Sequence, residues 1–320
     1  MLSKKLNVLT APTGDRPLTA LGLLLCGVTL LALQDSLIKF ISDSTSFWQI
    51  QTLRSFCNMA LILLLAAIGG GIALIYPKRR LAVASRSIVM VICMFCFFSG
   101  SPFLTVAQMA AGLYTYPLFV SVLVGPVLGE TVGKWRITAL FIGATGAAFI
   151  VNPFDDAFSL VQILPIAAGF FYACNIMILR RYCREETPLA VTFANGIMFF
   201  ISGLAGSLWL EIFPLSNAVQ EAMPFVAIGW PSLSLTLIGF AILCSCLNLF
   251  GNIGLTRAYQ TADSSWLAPL DFSYLLFAAL WGKVIFDSWP TAYGWTGMLL
   301  IAGAGMITAW REHRAKLQKP

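Results

Sequence analysis

The stretch Trp266–Asp287, WLAPLDFSYLLFAALWGKVIFD, is an apolar run long enough to cross a lipid bilayer. It nevertheless contains a proline, Pro269, and a carboxylate, Asp271. In hydrocarbon a proline leaves a main-chain carbonyl without its helical partner, and a charged side chain costs roughly 3 kcal/mol or more. Neither group belongs on a surface that faces lipid. A helix interrupted inside the membrane beside an ionisable group is typical of the substrate sites of secondary transporters.

The composition of the whole chain agrees with a membrane location. Of its 320 residues, 58% are hydrophobic and only 11% are charged, and the mean hydropathy is +0.83. Soluble domains are roughly 45–50% apolar and about 25% charged. Apolar runs of about 20 residues recur along the sequence, and each could span about 30 Å as a helix. We therefore predict an all-α polytopic membrane protein with no separate soluble domain.

Ten transmembrane helices are predicted, joined mostly by short connections. Their approximate ranges are 18–41, 47–75, 87–103, 104–126, 135–152, 160–182, 188–210, 232–255, 263–286 and 289–310. Residues 1–17 and 311–320 are predicted to be cytoplasmic tails. The spans divide into helices 1–5 within residues 18–152 and helices 6–10 within residues 160–310.

The distribution of lysine and arginine predicts the orientation, because cytoplasmic loops are enriched in these residues. If the N-terminus lies inside, 17 of the 20 lysines and arginines fall on the cytoplasmic side, and Arg86 is one of them. The exceptions are Lys39, Arg54 and Lys283. The opposite loop at 152–159 is acidic. We expect a protein of the bacterial inner membrane with both termini in the cytoplasm.

A faint internal repeat relates the two halves. The stretch 107–152 has the same order of features as 258–309: a proline (Pro117 or Pro269), an acid (Glu130 or Asp287), and a closing helix of small residues. Five spans are an odd number, so the second half must enter the membrane from the other side. The sequence therefore predicts an inverted five-plus-five repeat, which is typical of alternating-access carriers.

The chain resembles paired EamA domains of the drug/metabolite transporter superfamily over residues 18–310. The matching features are Arg54 early in helix 2, the Pro117…Gly129-Glu130 run, and the Ala268-Pro269-Leu270-Asp271 run followed by an acid before Pro290. That acid is Asp287, where the family more often has glutamate. The resemblance implies a ten-helix carrier with a central cavity. It also implies that helices 5 and 10 mainly support the bundle or form a dimer contact. The Pro-Leu-Asp run is similar to a subset with members that move riboflavin or S-adenosylmethionine, which does not assign a substrate.

Charged side chains near the outer ends of helices 1 and 2 are candidate site residues. Asp35 and Arg54 both lie roughly 10 Å below the outer surface, at matched depth, where an ion pair would reduce the cost of each charge. One interpretation is a structural staple between the helices, with Lys39 sharing the carboxylate. The other makes Arg54 a donor to an anionic or carbonyl group of the substrate. Gln51, Arg54 and Asn58 form a polar stripe that favours the second interpretation.

Asp271 is the candidate coupling residue. It lies roughly 12 Å deep in helix 9, and an unpaired carboxylate there could bind and release a proton as a cavity opens to either side. The alternative is that Asp271 caps amides freed by the break at Pro269. Glu130 and Asp287 are predicted to form structural or gating ion pairs near the two membrane surfaces, Asp287 with Lys283.

Amide and aromatic side chains of the spans complete the predicted site. Together they suit a cavity for an uncharged or zwitterionic, partly apolar substrate, such as an amino-acid-like or aromatic heterocyclic metabolite. The members beyond the charged residues are Asn58, Tyr116, Tyr172, Asn175, Asn248, Asn252 and Trp266.

Other classes of function are disfavoured. The single histidine, His313, and the isolated Cys93-x-x-Cys96 pair predict no metal site and no enzyme, and no phosphate-binding glycine loop or cofactor motif is present. We expect a small-molecule substrate, the lipid bilayer and candidate coupling protons as partners, and no nucleic acid. A facilitative uniporter or channel-like pore is the alternative function. Gly303 and Gly305 would allow close packing of the last helix inside a monomer or within a homodimer.

Overall fold

The computed structural model describes residues 17–69, 71–129, 134–151, 159–261 and 264–317. This described part consists of α-helices, two single 3₁₀ turns (Ile72–Ile75 and Leu160–Ile163) and connections, without a β-strand. The helices up to the middle of the chain are α1 (Pro17–Ile41), α2 (Phe47–Gly69), α3 (Arg80–Ser99), α4 (Val106–Leu113), α5 (Tyr116–Leu128), α6 (Lys134–Val151) and α7 (Leu164–Tyr182). Those that follow are α8 (Pro188–Ile212), α9 (Asn217–Ala222), α10 (Pro224–Ala227), α11 (Leu235–Thr261), α12 (Ser264–Asp271), α13 (Ser273–Phe286) and α14 (Ala292–Leu317).

Eight segments of this described part are long and apolar enough to cross a membrane, so the chain is an integral membrane protein. The other two predicted spans, 135–152 and 289–310, coincide with shorter apolar helices at Ile137–Val151 and Ala292–Thr308.

The predicted boundaries need four main corrections. The eighth span, predicted to end at residue 255, continues to Thr261. The third span begins at Arg80 rather than at residue 87, and Val83 in its first turn is fully buried. The second span ends at Gly69 and is followed by a separate 3₁₀ turn. The last helix continues to Leu317, into the predicted tail.

Two spans are interrupted in mid-course. The α4–α5 span is broken at Tyr114 and Thr115, two residues before Pro117, which lies in the first turn of α5, where a missing N–H costs nothing. The α12–α13 span is broken at Phe272, three residues after Pro269. The two breaks touch each other, because the Tyr114 hydroxyl donates to the main-chain carbonyl of Asp271 at 3.2 Å.

Four pairs of helices make the most extensive contacts: α1 with α11, α2 with α8, α3 with α7, and α6 with α14. Glycines let some of these backbones approach closely. A Cβ atom placed on Gly27 of α1 would lie 2.8 Å from the carbonyl oxygen of Gly251 in α11, and one on Gly146 of α6 would lie 2.8 Å from that of Gly297 in α14. Helices α6 and α14 are therefore packed together within one chain.

Candidate functional site

A cavity of about 370 Å³ lies between the helices at the level of the two breaks. It brings together all the predicted substrate or coupling residues except Trp266, from both halves of the chain. Those that line it are Asp35, Arg54, Asn58, Tyr116, Tyr172, Asn175, Asn248, Asn252 and Asp271. The backbone of Trp266 belongs to α12, and its side chain lies outside the described residues.

Tyrosine rings form the wall of the cavity beside the helix breaks. The rings of Tyr114 and Tyr274 stack with centroids 5.0 Å apart and an interplanar angle of 12°. Tyr116 meets Tyr172 edge to face at 5.0 Å. Because the ring pairs come from α5, α7, α13 and the α4–α5 break, they offer flat apolar surfaces with polar hydroxyl edges at the junction of four segments.

The predicted ion pair between Asp35 and Arg54 is not formed within 4.0 Å. The Asp35 carboxylate instead accepts hydrogen bonds from the Tyr274 hydroxyl and, at 2.8 Å, from the Gln34 amide. Arg54 is only 6% exposed; its Nη2 donates to the side-chain Oε1 of Gln51 at 3.4 Å, and its buried Nη1 has no hydrogen-bond partner among the described residues. Asp35 and Arg54 therefore line the same cavity, but the ion pair predicted from their matched depth is absent.

Lys39 does not share the Asp35 carboxylate. Its Nζ donates to the main-chain carbonyl of Ser101 and lies 5.3 Å from the centre of the Phe286 ring. This contact ties α1 to the α3–α4 connection and leaves Asp35 to Tyr274 and Gln34.

Asp271 lines the cavity, and none of the described residues forms an ion pair with it. In the described part of the chain no side chain donates a hydrogen bond to its carboxylate, and the carboxylate caps no main-chain amide. The α13 helix that follows begins without a side-chain cap. The capping alternative is therefore not observed; it is the main-chain carbonyl of Asp271, rather than its side chain, that is hydrogen bonded.

Among the lining residues that were not predicted, Tyr274 and Arg86 matter most for the chemistry of the cavity. Tyr274 lies one helical turn after Asp271, a spacing that could have indicated a shared surface. Arg86 had been counted as a cytoplasmic charge, but it projects into the cavity from the second turn of α3. The apolar residues Leu81 and Val83 were the signal that the helix starts before Arg86.

Outside the cavity, Lys283 and Asp287 form an i, i+4 ion pair of 2.5 Å, as predicted. Asp287 ends α13 in the left-handed conformation, with φ of 52°. The hydrogen bond and charge of Lys283 lower the pKa of the Asp287 carboxyl. Glu130, its predicted counterpart, lies outside the described residues, and the preceding Gly129 ends α5 with the same left-handed geometry, φ of 72°.

Lining residues are exposed toward one end of the bundle, here called the open end, and buried toward the other, the sealed end: Thr192 is exposed, whereas Gln34 and Arg54 are buried. The cavity lining reaches Leu179 in the last turn of α7 and Val191 in the first turn of α8. At the opposite side the lining stops at Asp35 and Arg54. Beyond these lie fully buried side chains that belong to a separate core cluster, among them Ile38, Phe47, Phe97, Phe98 and Phe225.

No family model matches the chain. Relatives include the riboflavin transporter of Vibrio cholerae, 27% identical over 214 residues, and that of Rhizobium johnstonii, 26% identical over 286 residues. The first match covers 66% of this chain and 65% of the relative, just under two thirds of its length; the second covers 88% and 85%. The pseudopaline exporter of Pseudomonas aeruginosa is 22% identical, covering 85% of this chain and 89% of the exporter.

The crystal structure of another protein superposes on this chain with a TM-score of 0.53 at 17% sequence identity. The superposition covers 92% of this chain and 99% of that protein. It shows a shared fold. The sequence relatives are named as transporters or exporters rather than enzymes, and together with the apolar helices they support a membrane transporter.

Proposed function

We propose that the chain is a secondary-active transporter that carries a small, partly aromatic metabolite by alternating access. The observation that carries this proposal is the cavity: polar and charged groups from both halves of the chain meet there, at two touching helix breaks. Interrupted spans around an ionisable cavity are how many carriers build a substrate site. The cavity volume of about 370 Å³ lies within the usual range for small-molecule sites.

A flat heterocycle with polar edges is the substrate class that the lining favours. The stacked pair Tyr114–Tyr274 and the neighbouring Tyr116 offer aromatic faces, while Asn58 and Asn248 offer amide groups to ring heteroatoms. Two relatives are named riboflavin transporters. Riboflavin is such a heterocycle and is therefore the first compound to test.

The proposal includes ten spans arranged as an inverted five-plus-five repeat of the EamA type. In such a repeat α1 corresponds to α7, α2 to α8, α3 to α11, and α6 to α14. The contact of α1 with α11 is then equivalent to that of α7 with α3, and the α2–α8 and α6–α14 contacts are each equivalent to themselves. The broken spans α4–α5 and α12–α13 also correspond to each other. These pairings support the repeat. The chain would lie in a bacterial inner membrane with both termini in the cytoplasm, so that the cavity in this structure opens inward.

Proton coupling through Asp271 is the mechanism we propose. The carboxylate faces the cavity and has no cationic partner in the part of the chain that the structure describes, so binding a proton would neutralise it during the conformational change. In this scheme the outward-open and inward-open states expose Asp271 in turn, and the proton gradient supplies the driving force.

The test is uptake of radiolabelled riboflavin by proteoliposomes containing wild type or Asp271→Asn. Wild type should accumulate riboflavin when a proton gradient is imposed, whereas the variant should retain exchange of internal for external riboflavin but lose gradient-driven accumulation. Equal accumulation by the two proteins would exclude coupling through Asp271. Wild-type flux that only equilibrates riboflavin would establish the facilitative uniporter, and no flux would exclude this substrate.

A further inference from the structure

Arg86 is a cation within a candidate membrane span, and it has no acidic partner among the described residues. It lies in the second turn of α3 and lines the cavity near its open end. In the described part of the chain no carboxylate comes within 4.0 Å of its guanidinium. The other charged residues of the cavity lining are Asp35, Arg54 and Asp271, so neither carboxylate of this cavity neutralises Arg86 directly. A charge in this position is costly, and such residues usually mark a substrate or ion path.

The surroundings hold the Arg86 side chain in place without using all of its donors. Nη1 donates to Oδ1 of Asn195 at 3.2 Å, and the same oxygen accepts from the Ser87 hydroxyl at 2.8 Å. Nε is buried and has no hydrogen-bond partner among the described residues. A guanidinium carries five N–H donors. The side chain is therefore anchored by one amide oxygen, and donors remain for a ligand in the cavity.

Arg86 and the tyrosine wall lie on the same cavity. Tyr172 lines the same cavity as Arg86 and Asp271, and its ring meets that of Tyr116 edge to face. A ligand whose ring occupies the tyrosine wall would therefore extend a substituent past Tyr172 toward Arg86 and the open end.

We propose that Arg86 binds the oxygen-bearing tail of the transported molecule, through hydroxyl, carboxylate or phosphate oxygens, while the ring lies against the tyrosines. This inference rests on the proposed function, since it assumes a heteroaromatic substrate. Arg86 would then make compounds that carry such a tail bind more tightly than the same ring without a tail. Asn195 is the positioning residue that orients the guanidinium.

The test compares three fluorescent probes that share a ring system: lumichrome, which has no tail; riboflavin, which has a hydroxylated tail; and flavin mononucleotide, whose tail ends in phosphate. Fluorescence titrations of the full-length purified protein give a Kd for each. Arg86→Gln should weaken binding of riboflavin or flavin mononucleotide about tenfold or more and change that of lumichrome less than about twofold. Arg86→Lys, which keeps the charge, should recover part of the loss, and Arg80→Gln, an exposed arginine at the start of the same helix, should behave as wild type.

Asn195→Asp provides a second route if Arg86→Gln fails to fold. It places a carboxylate where Arg86 now meets an amide oxygen, so it should compete with the tail and weaken the tailed probes selectively. Equal weakening of all three probes by either variant, or no change for any, would overturn the role of Arg86. Failure of wild type to bind any of the three would overturn the proposed substrate class and this inference with it.

Discussion

The hydroxyl of Tyr274 donates a hydrogen bond to Oδ2 of Asp35, across 239 residues of sequence. This contact joins α13, which follows the second helix break, to α1. Because the Tyr274 ring also stacks on Tyr114 and the Tyr114 hydroxyl reaches the Asp271 carbonyl, one chain of contacts links both breaks to the carboxylate of α1. A change at any of these groups should therefore reach the whole cavity.

Tyr274→Phe should impair transport while preserving the fold. The substitution removes the donor to Asp35 but keeps the ring and its stacking on Tyr114. Hydrogen bonds to charged groups contribute about 1.5–3 kcal/mol, so the rate of riboflavin uptake by proteoliposomes should fall about tenfold or more. Tyr293→Phe, an exposed tyrosine on α14, is the matched control and should transport normally. Normal uptake by Tyr274→Phe would show that the contact with Asp35 is dispensable.

Gly297→Ala should destabilise the pairing of α6 with α14. The added Cβ would lie 2.5 Å from Cγ1 of Ile150 and 2.6 Å from the carbonyl oxygen of Gly146, and the backbone cannot move aside cheaply. Overpacking of this kind costs about 1–3 kcal/mol, and each kcal/mol corresponds to a fall in Tm of about 2–4 °C in a chain of roughly this size.

Gly303→Ala is the control on the same helix, because nothing lies within 4 Å of its Cβ position. Its Tm in detergent should equal or exceed that of wild type, since alanine favours the helix. A Gly297→Ala protein as stable as Gly303→Ala would contradict the packing described for α6 and α14.

Asp287 should give a small acid dependence of stability at the end of α13. Lys283 lowers the pKa of this carboxyl in the folded protein, below the ordinary value of 3.8. The ion pair therefore contributes in full above that value and is lost as the pH falls through the lowered pKa. Asp287→Asn tolerates the same left-handed backbone, so its Tm relative to wild type should be lower at pH 6 and converge below pH 3. A constant difference would rule out the ion pair as its cause.

The sequence predicted the membrane helices and three of the four charged residues of the cavity lining from simple physical rules, because Asp35, Arg54 and Asp271 are too costly in lipid to lie anywhere else. It did not predict which of these groups touch. The partner of Asp35 is Tyr274, set by how α13 packs on α1, and no local pattern encodes that choice. Arg86 was assigned to a loop for a different reason. Counting charges places arginines near helix ends in loops, and only the exact start of α3 shows that Arg86 belongs to the helix.

The central claim is that one cavity opens alternately to the two membrane surfaces. It is tested most directly by labelling single cysteines with a membrane-impermeant maleimide, in an active variant from which the eight native cysteines have been removed. Thr192→Cys reports the open end, and Ser101→Cys reports the sealed end, where Lys39 contacts the Ser101 carbonyl. Addition of riboflavin, or of a proton gradient, should change the two labelling rates in opposite directions. Rates that rise and fall together, or a sealed end that never labels in a protein that transports at the normal rate, would contradict alternating access.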